Sequence, residues 1–227
     1  LWAPVHTFLA WALVREIDPD HQSAAIAAGI ASGLWILAGL DAVGVLMVGA
    51  LMVAARLVTN STGRRPLIPD LTLIGIFATA VSFTTVGWIA GFGLAIAIYI
   101  DDRMADGPSV PGSLAAALTA LGSTAVASLA GVFPRELPNV RPLLAVAVGV
   151  LALITVIREP EAPTEMVDSR SKNFLSQTRL HASRTLIAVL IFAATLLTGQ
   201  DALMVGPLVI ALALALTSNE IERIRRQ

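Results

Sequence analysis

Cysteine is absent from the 227 residues. This excludes disulfides, thiolate metal sites and haem-attachment motifs, and leaves the redox compartment unread. Charge is scarce as well. Only 14% of residues are Asp, Glu, Lys or Arg, against about 25% in an ordinary soluble domain. Lys172 is the single lysine, and the formal net charge is −1. A surface this poor in charge is not expected of a soluble enzyme, a disordered chain or a nucleic-acid binder. No basic, apolar and small-residue leader pattern is visible, and a chain opening at Leu1 inside apolar sequence is expected to have residues upstream.

What the chain has in abundance is apolar sequence: 56% hydrophobic residues and a mean hydropathy of +0.79. The expected fold is therefore all-α, a polytopic integral membrane bundle forming one transmembrane domain over 1–227. A spanning helix needs roughly 20 apolar residues, within a range of about 17–25. Runs of this kind, some of them short, lie at 1–14, 23–40, 42–58, 71–87, 90–100, 113–133, 142–157, 182–199 and 202–218. They predict about nine helices, one followed by four hairpins. None alternates polar and apolar residues as a barrel strand would.

Residues 71–100 carry no charge and could form one long helix or a hairpin turning at 87–91. Cytoplasmic loops collect Lys and Arg. With a hairpin, 13 basic residues fall on one side and only Arg135 and Arg141 on the other, whereas one long helix would give 6 and 9. The hairpin is therefore expected, with the N-terminal end outside and the C-terminus in the cytoplasm of a cell (inner or plasma) membrane. Residues 158–184 become a cytoplasmic loop whose basic end begins the next helix, and 219–227 a cytoplasmic tail. Gly39, Gly87, Gly131 and Gly199 are expected to end outward-going helices. Ser23, Asp70 and Ser113 are expected to cap helix starts. Gly29/Gly33 and Gly87/Gly91 have the spacing that lets helices approach closely. Gly39-Leu-Asp41-Ala42 and Gly199-Gln-Asp201-Ala202 hint at an internal duplication.

No acid or base falls near the middle of any expected span, which argues against proton coupling. Hydroxyls do: Thr79, Ser82, Thr84 and Thr85 in one segment, Thr119, Ser123, Thr124 and Ser128 in another. Thr119, Ser123 and Thr124 share a face that could line a polar path, although such hydroxyls more often bond a carbonyl one turn back. On the inner side, Asp101, Asp102 and Asp106 could hold Mg²⁺, with Asp102 and Asp106 four apart on one helical face. Asn60, Arg64 and Arg65 could grip a phosphate. The alternative for all of these loop charges is simple pairing and solvation. Aspartates on cytoplasmic loops of a helical bundle are loosely similar to those of membrane prenyltransferases of the UbiA type. Residues 15–20 do not supply that family's NDxxDxxxD run, so no membership follows. Three functions are open. The first is an uncoupled carrier or pore for a small or lipidic solute. The second is a cytoplasmic-face enzyme acting on a phosphorylated lipid with Mg²⁺. The third is a structural subunit, with membrane lipids, other membrane subunits or a second copy as partners and no nucleic acid.

Overall fold

In the computed structural model, residues 3–39, 44–84, 86–105, 109–132 and 175–198 are described. They form seven helices and no strand: α1 (Ala3–Ile17), α2 (Gln22–Leu37), α3 (Val45–Thr59), α4 (Ile68–Val81), α5 (Gly87–Met104), α6 (Val110–Leu129) and α7 (Gln177–Thr198). Each coincides with one of the expected apolar segments. The segments at 142–157 and 202–218, the tail and the Gly199–Asp201 half of the suspected repeat lie outside the described residues. Among the described residues two helical stretches, Val110–Leu129 and Gln177–Leu196, are long and apolar enough to cross a membrane.

The break between α4 and α5 settles the 71–100 question in favour of a hairpin, although the turn comes at 82–86, earlier than the glycines suggest. Hydroxyls place it. Ser82 Oγ donates to the Ala78 carbonyl (2.7 Å) and Thr84 Oγ1 to that of Val81 (3.0 Å), while Thr84 Oγ1 accepts from the Gly87 amide (3.1 Å). Gly87 thus starts α5 rather than ending α4. At the other turns glycine does the expected work: Gly39 (φ 74°) and Gly131 (φ 65°) adopt the left-handed conformation that ends α2 and α6. The expected caps are displaced by up to one turn. Ser109, not Ser113, caps α6, because Pro111 suits the first turn and Ser109 Oγ reaches the Gly112 amide (3.0 Å). Asp70 sits inside the first turn of α4 and accepts from the Leu67 amide (2.9 Å). Ser23 lies within α2, which His21 precedes.

α3 and α5 run through the centre. α3 packs on α1, α5 and α7, and α5 on α3, α4, α6 and α7. Leu13, Val14 and Ile17 of α1, Val48, Leu51 and Val58 of α3, Leu94 of α5, and Ile187 and Ile191 of α7 form the core. The peripheral helices invert the pattern of a water-soluble fold. α2 buries Ala25, Ala28, Gly29, Ser32 and Gly33 and exposes Ile26, Ile30, Leu34 and Leu37. α6 buries Ala116, Thr119, Ser123 and Ala127 and exposes Leu114, Leu118 and Leu121. Small residues face the bundle because they let backbones approach. A Cβ on Gly29 would lie 3.1 Å from the Thr7 carbonyl oxygen, and one on Gly33 2.5 Å from Thr7 Oγ1.

All seven described arginines and all six described carboxylates lie at one end of the bundle. α1, α3 and α5 run towards this end; α2, α4, α6 and α7 start from it. α7 ties it together. Arg179 donates to the Val58 carbonyl at the end of α3 (3.1 Å) and to Asp101 Oδ1 (2.6 Å). Arg184 donates to the Ile17 carbonyl at the end of α1 (2.5 Å) and to Asp18 Oδ1 (3.3 Å), which also meets His21 (2.8 Å). Cations here satisfy orphan carbonyls and oppose the negative ends of two helix dipoles.

Candidate functional site

The expected phosphate-gripping residues come together. α3 ends at Asn60, whose left-handed conformation (φ 51°) turns the chain, and Gly63 (φ 64°) turns it again. Pro66 then favours an extended lead into α4. The result is a loop that carries Arg64 and Arg65 back over the gap between α3 and α4. These two helices touch little, and the gap is a cleft of ≈ 690 Å³. Asn60, Arg64 and Arg65 line its mouth. The structure adds two groups that were not among the expected site residues: Arg56, one turn before Asn60 on the same stripe of α3, and Asp70 on α4, expected only as a helix cap. Val53, Leu57 and Ile74 supply the apolar part of its walls. Spacing held a signal for Arg56, since 53, 56, 57 and 60 share one helical face.

Three guanidiniums and one carboxylate, Asp70, line the cleft, and two of the guanidiniums have acidic neighbours outside it. Arg56 is only loosely held, by Glu16 at 3.9 Å, and is half exposed. Arg65 pairs with Asp102 (3.0 Å) and is 48% exposed. Arg64 has no ion-pair partner among the described residues. Arginine is the side chain best suited to planar, two-pronged recognition of phosphate or carboxylate.

Asp101 and Asp102 border an adjoining cavity of ≈ 210 Å³, each with its own arginine. Asp102 is only 3% exposed and its oxygens are crowded with donors: the Ser109 amide (2.9 and 3.1 Å), Ser109 Oγ (2.6 Å), Ser113 Oγ (3.1 Å) and Arg65. Burial pushes its pKa up. The bonds from Ser109, Ser113 and Arg65 outweigh that and leave it below the ordinary carboxylate value. Arg103 does not join the pair; it lies over the Tyr99 ring at 5.1 Å. Among the described residues no group of three His, Asp or Glu side chains is placed to hold a metal ion, and Asp106 lies outside them.

The hydroxyl face divides. Thr119 and Ser123 are buried where α6 meets its neighbours, whereas Thr124 points outward and bonds the Ala120 carbonyl (2.8 Å). Thr119 sits opposite Gly75 of α4, Thr79 opposite Gly122 of α6, and Ser123 beside Gly91 of α5. These hydroxyls occupy helix contacts. Thr79 and Thr119 also reach the floor of a second depression, an apolar groove of ≈ 790 Å³ between α4 and α6. Ser123 Oγ is buried with no hydrogen-bond partner. No protein-family model, curated protein or solved structure matches this chain.

Proposed function

We propose that the chain is a multi-pass membrane protein that carries an anionic solute without ion coupling, taking it up at the arginine-bearing end. The observation that carries this reading is the arginine-lined cleft between α3 and α4, with Arg56, Arg64 and Arg65 on its walls and mouth and Arg64 without an ion-pair partner among the described residues. The membrane setting is supported by the exposed leucine and isoleucine faces of α2 and α6, and by the gathering of every described charge at one end. By the positive-inside bias that end is cytoplasmic, which makes the membrane the inner or plasma membrane. Movement is supported by α4. It buries only Leu71, Ala78 and Val81, and has the cleft on one side and the apolar groove on the other. A helix with few buried contacts is the one most easily displaced. Catalysis by the aspartates is less well supported, because Asp101 and Asp102 are each engaged by an arginine.

The test is flux in liposomes. Full-length protein should move a phosphorylated solute down its own gradient with no pH or sodium gradient imposed. Arg64→Ala should slow the flux roughly tenfold, the value of one lost charge-assisted contact. Flux that required an imposed proton gradient, or that ignored the Arg64 change, would reject the carrier.

A further inference from the structure

The cleft is built for more than an ion. Resting on the anion-site reading, we infer that its ligand is an amphiphile, a phosphate-bearing lipid whose head sits on Arg64, Arg56 and Arg65 and whose chain runs inward along Val53, Leu57 and Ile74. Both walls change character with depth. On α3 the order from the mouth is Asn60, Leu57, Arg56, Val53, with Arg56 half exposed one turn below Asn60; on α4 it is Asp70, then Ile74. Residues 53–60 cover about 10 Å of helix, and the deepest lining groups, Val53 on α3 and Ile74 on α4, are apolar, while the arginines of the connecting loop stand at the mouth. One turn beyond Val53 the two helices approach each other: the Phe77 ring comes within 3.7 Å of where a Cβ on Gly49 would stand.

Its size argues the same way. At ≈ 690 Å³ it falls among cavities that take a whole organic ligand, about 300–1,000 Å³. A bare phosphate would fill only the mouth and leave three apolar side chains against empty space. Access fits as well. Among the described residues only α3, α4 and their connecting loop line the cleft, and no third described helix walls off its outward side. A chain could enter laterally from the surrounding leaflet while its head stays at the arginine level. The acidic neighbour Asp102 does not oppose the head, because Ser109 and Ser113 already hold it on the far side of Arg65.

The experiment uses the full chain in nanodiscs of phosphatidylcholine. Three probes are compared by competition: phosphatidic acid, glycerol 3-phosphate (head without chain) and diacylglycerol (chain without head). Phosphatidic acid should bind at least about tenfold more tightly than either of the others, and Arg64→Ala should weaken it by roughly tenfold. Val53→Trp, which fills the apolar depth, should weaken phosphatidic acid and spare glycerol 3-phosphate. Equal binding of phosphatidic acid and glycerol 3-phosphate by the unaltered protein would overturn the amphiphile and keep the anion site. Failure of both phosphate probes, with Arg64→Ala silent, would overturn the anion site itself. Preferential binding of diacylglycerol would reject the phosphate in favour of the chain alone.

Discussion

A carboxylate removed from water is costly unless its oxygens are fully used, and Asp102 meets that condition through donors from three places in the chain: the loop before α4, the cap of α6 and its first turn. Because its pKa in the fold is below the ordinary value, the unfolded chain binds the proton more readily. The stabilisation is then complete at neutral pH and fades as pH falls below about 4 and through the depressed folded value. Asp102→Asn presents an amide NH₂ to some of these donors and should cost about 1–3 kcal/mol at pH 7. Arg65, half exposed, contributes little of that. Thermal unfolding in detergent checks both points: unaltered protein should lose midpoint temperature on acidification, and the Asn variant should lack that acid component. Parallel pH curves for the two would refute the role. The neighbouring Gly112 sharpens the case. Replacing a helix-interior glycine by alanine ordinarily gains up to about 1 kcal/mol, yet a Cβ here would overlap the Asp102 carboxylate, so Gly112→Ala should destabilise. The sequence marked Asp102 as a place for chemistry, through its acidic neighbours. It did not mark the hydrogen-bond hub, since nothing in spacing brings Arg65 and Ser109 to the end of α5.

Helices were the most legible level. Long apolar runs separated by charge predicted every described element, because the period of burial and the need to satisfy backbone groups act over many residues. The ends were less legible, because they depend on a few side-chain bonds: Thr84 and Ser82 beat Gly87 as the turn, and Ser109 beat Ser113 as the cap. Packing between elements makes a sharp contrast among glycines of α5. A Cβ on Gly91 would lie 2.7 Å from the Ala78 carbonyl oxygen of α4 and 3.0 Å from Ser123 Oγ of α6, with Ser82 Oγ closer still. Backbone cannot yield there without opening the α4–α5–α6 contact. At Gly93 the nearest atoms are all of the Leu190 side chain on α7, which can change rotamer. Gly91→Ala should therefore destabilise by more than about 2 kcal/mol, as overpacking does, and Gly93→Ala should stay within about 1 kcal/mol of the parent. Denaturation midpoints of the two variants, measured side by side, decide it; equal losses would mean that α4 and α6 are not seated on α5 as described.

At the scale of the molecule the proposed multi-pass membrane placement has to accommodate short helices. α4 has 14 residues, about 21 Å of rise, against a hydrocarbon core of about 30 Å. Such mismatch is met by local thinning and by long cationic side chains reaching for the interface. The described arginines are all at one end, with Arg179 and Arg184 bound to helix C-termini and Arg56, Arg64 and Arg65 exposed. The order of the ends is a definite prediction. α6 finishes at the end opposite to the one where α7 begins, so positions 130 and 176 should lie on opposite faces of the membrane. The absence of cysteine makes the measurement clean. In intact cells an impermeant maleimide should label Ala38→Cys and Ala130→Cys, and should reach Ala105→Cys and Ser176→Cys only after permeabilisation. If 130 and 176 react together, α6 does not cross. The exposed leucine face of α6 would then have to pack on protein rather than lipid, and the cleft arginines could no longer be assigned to the cytoplasmic side.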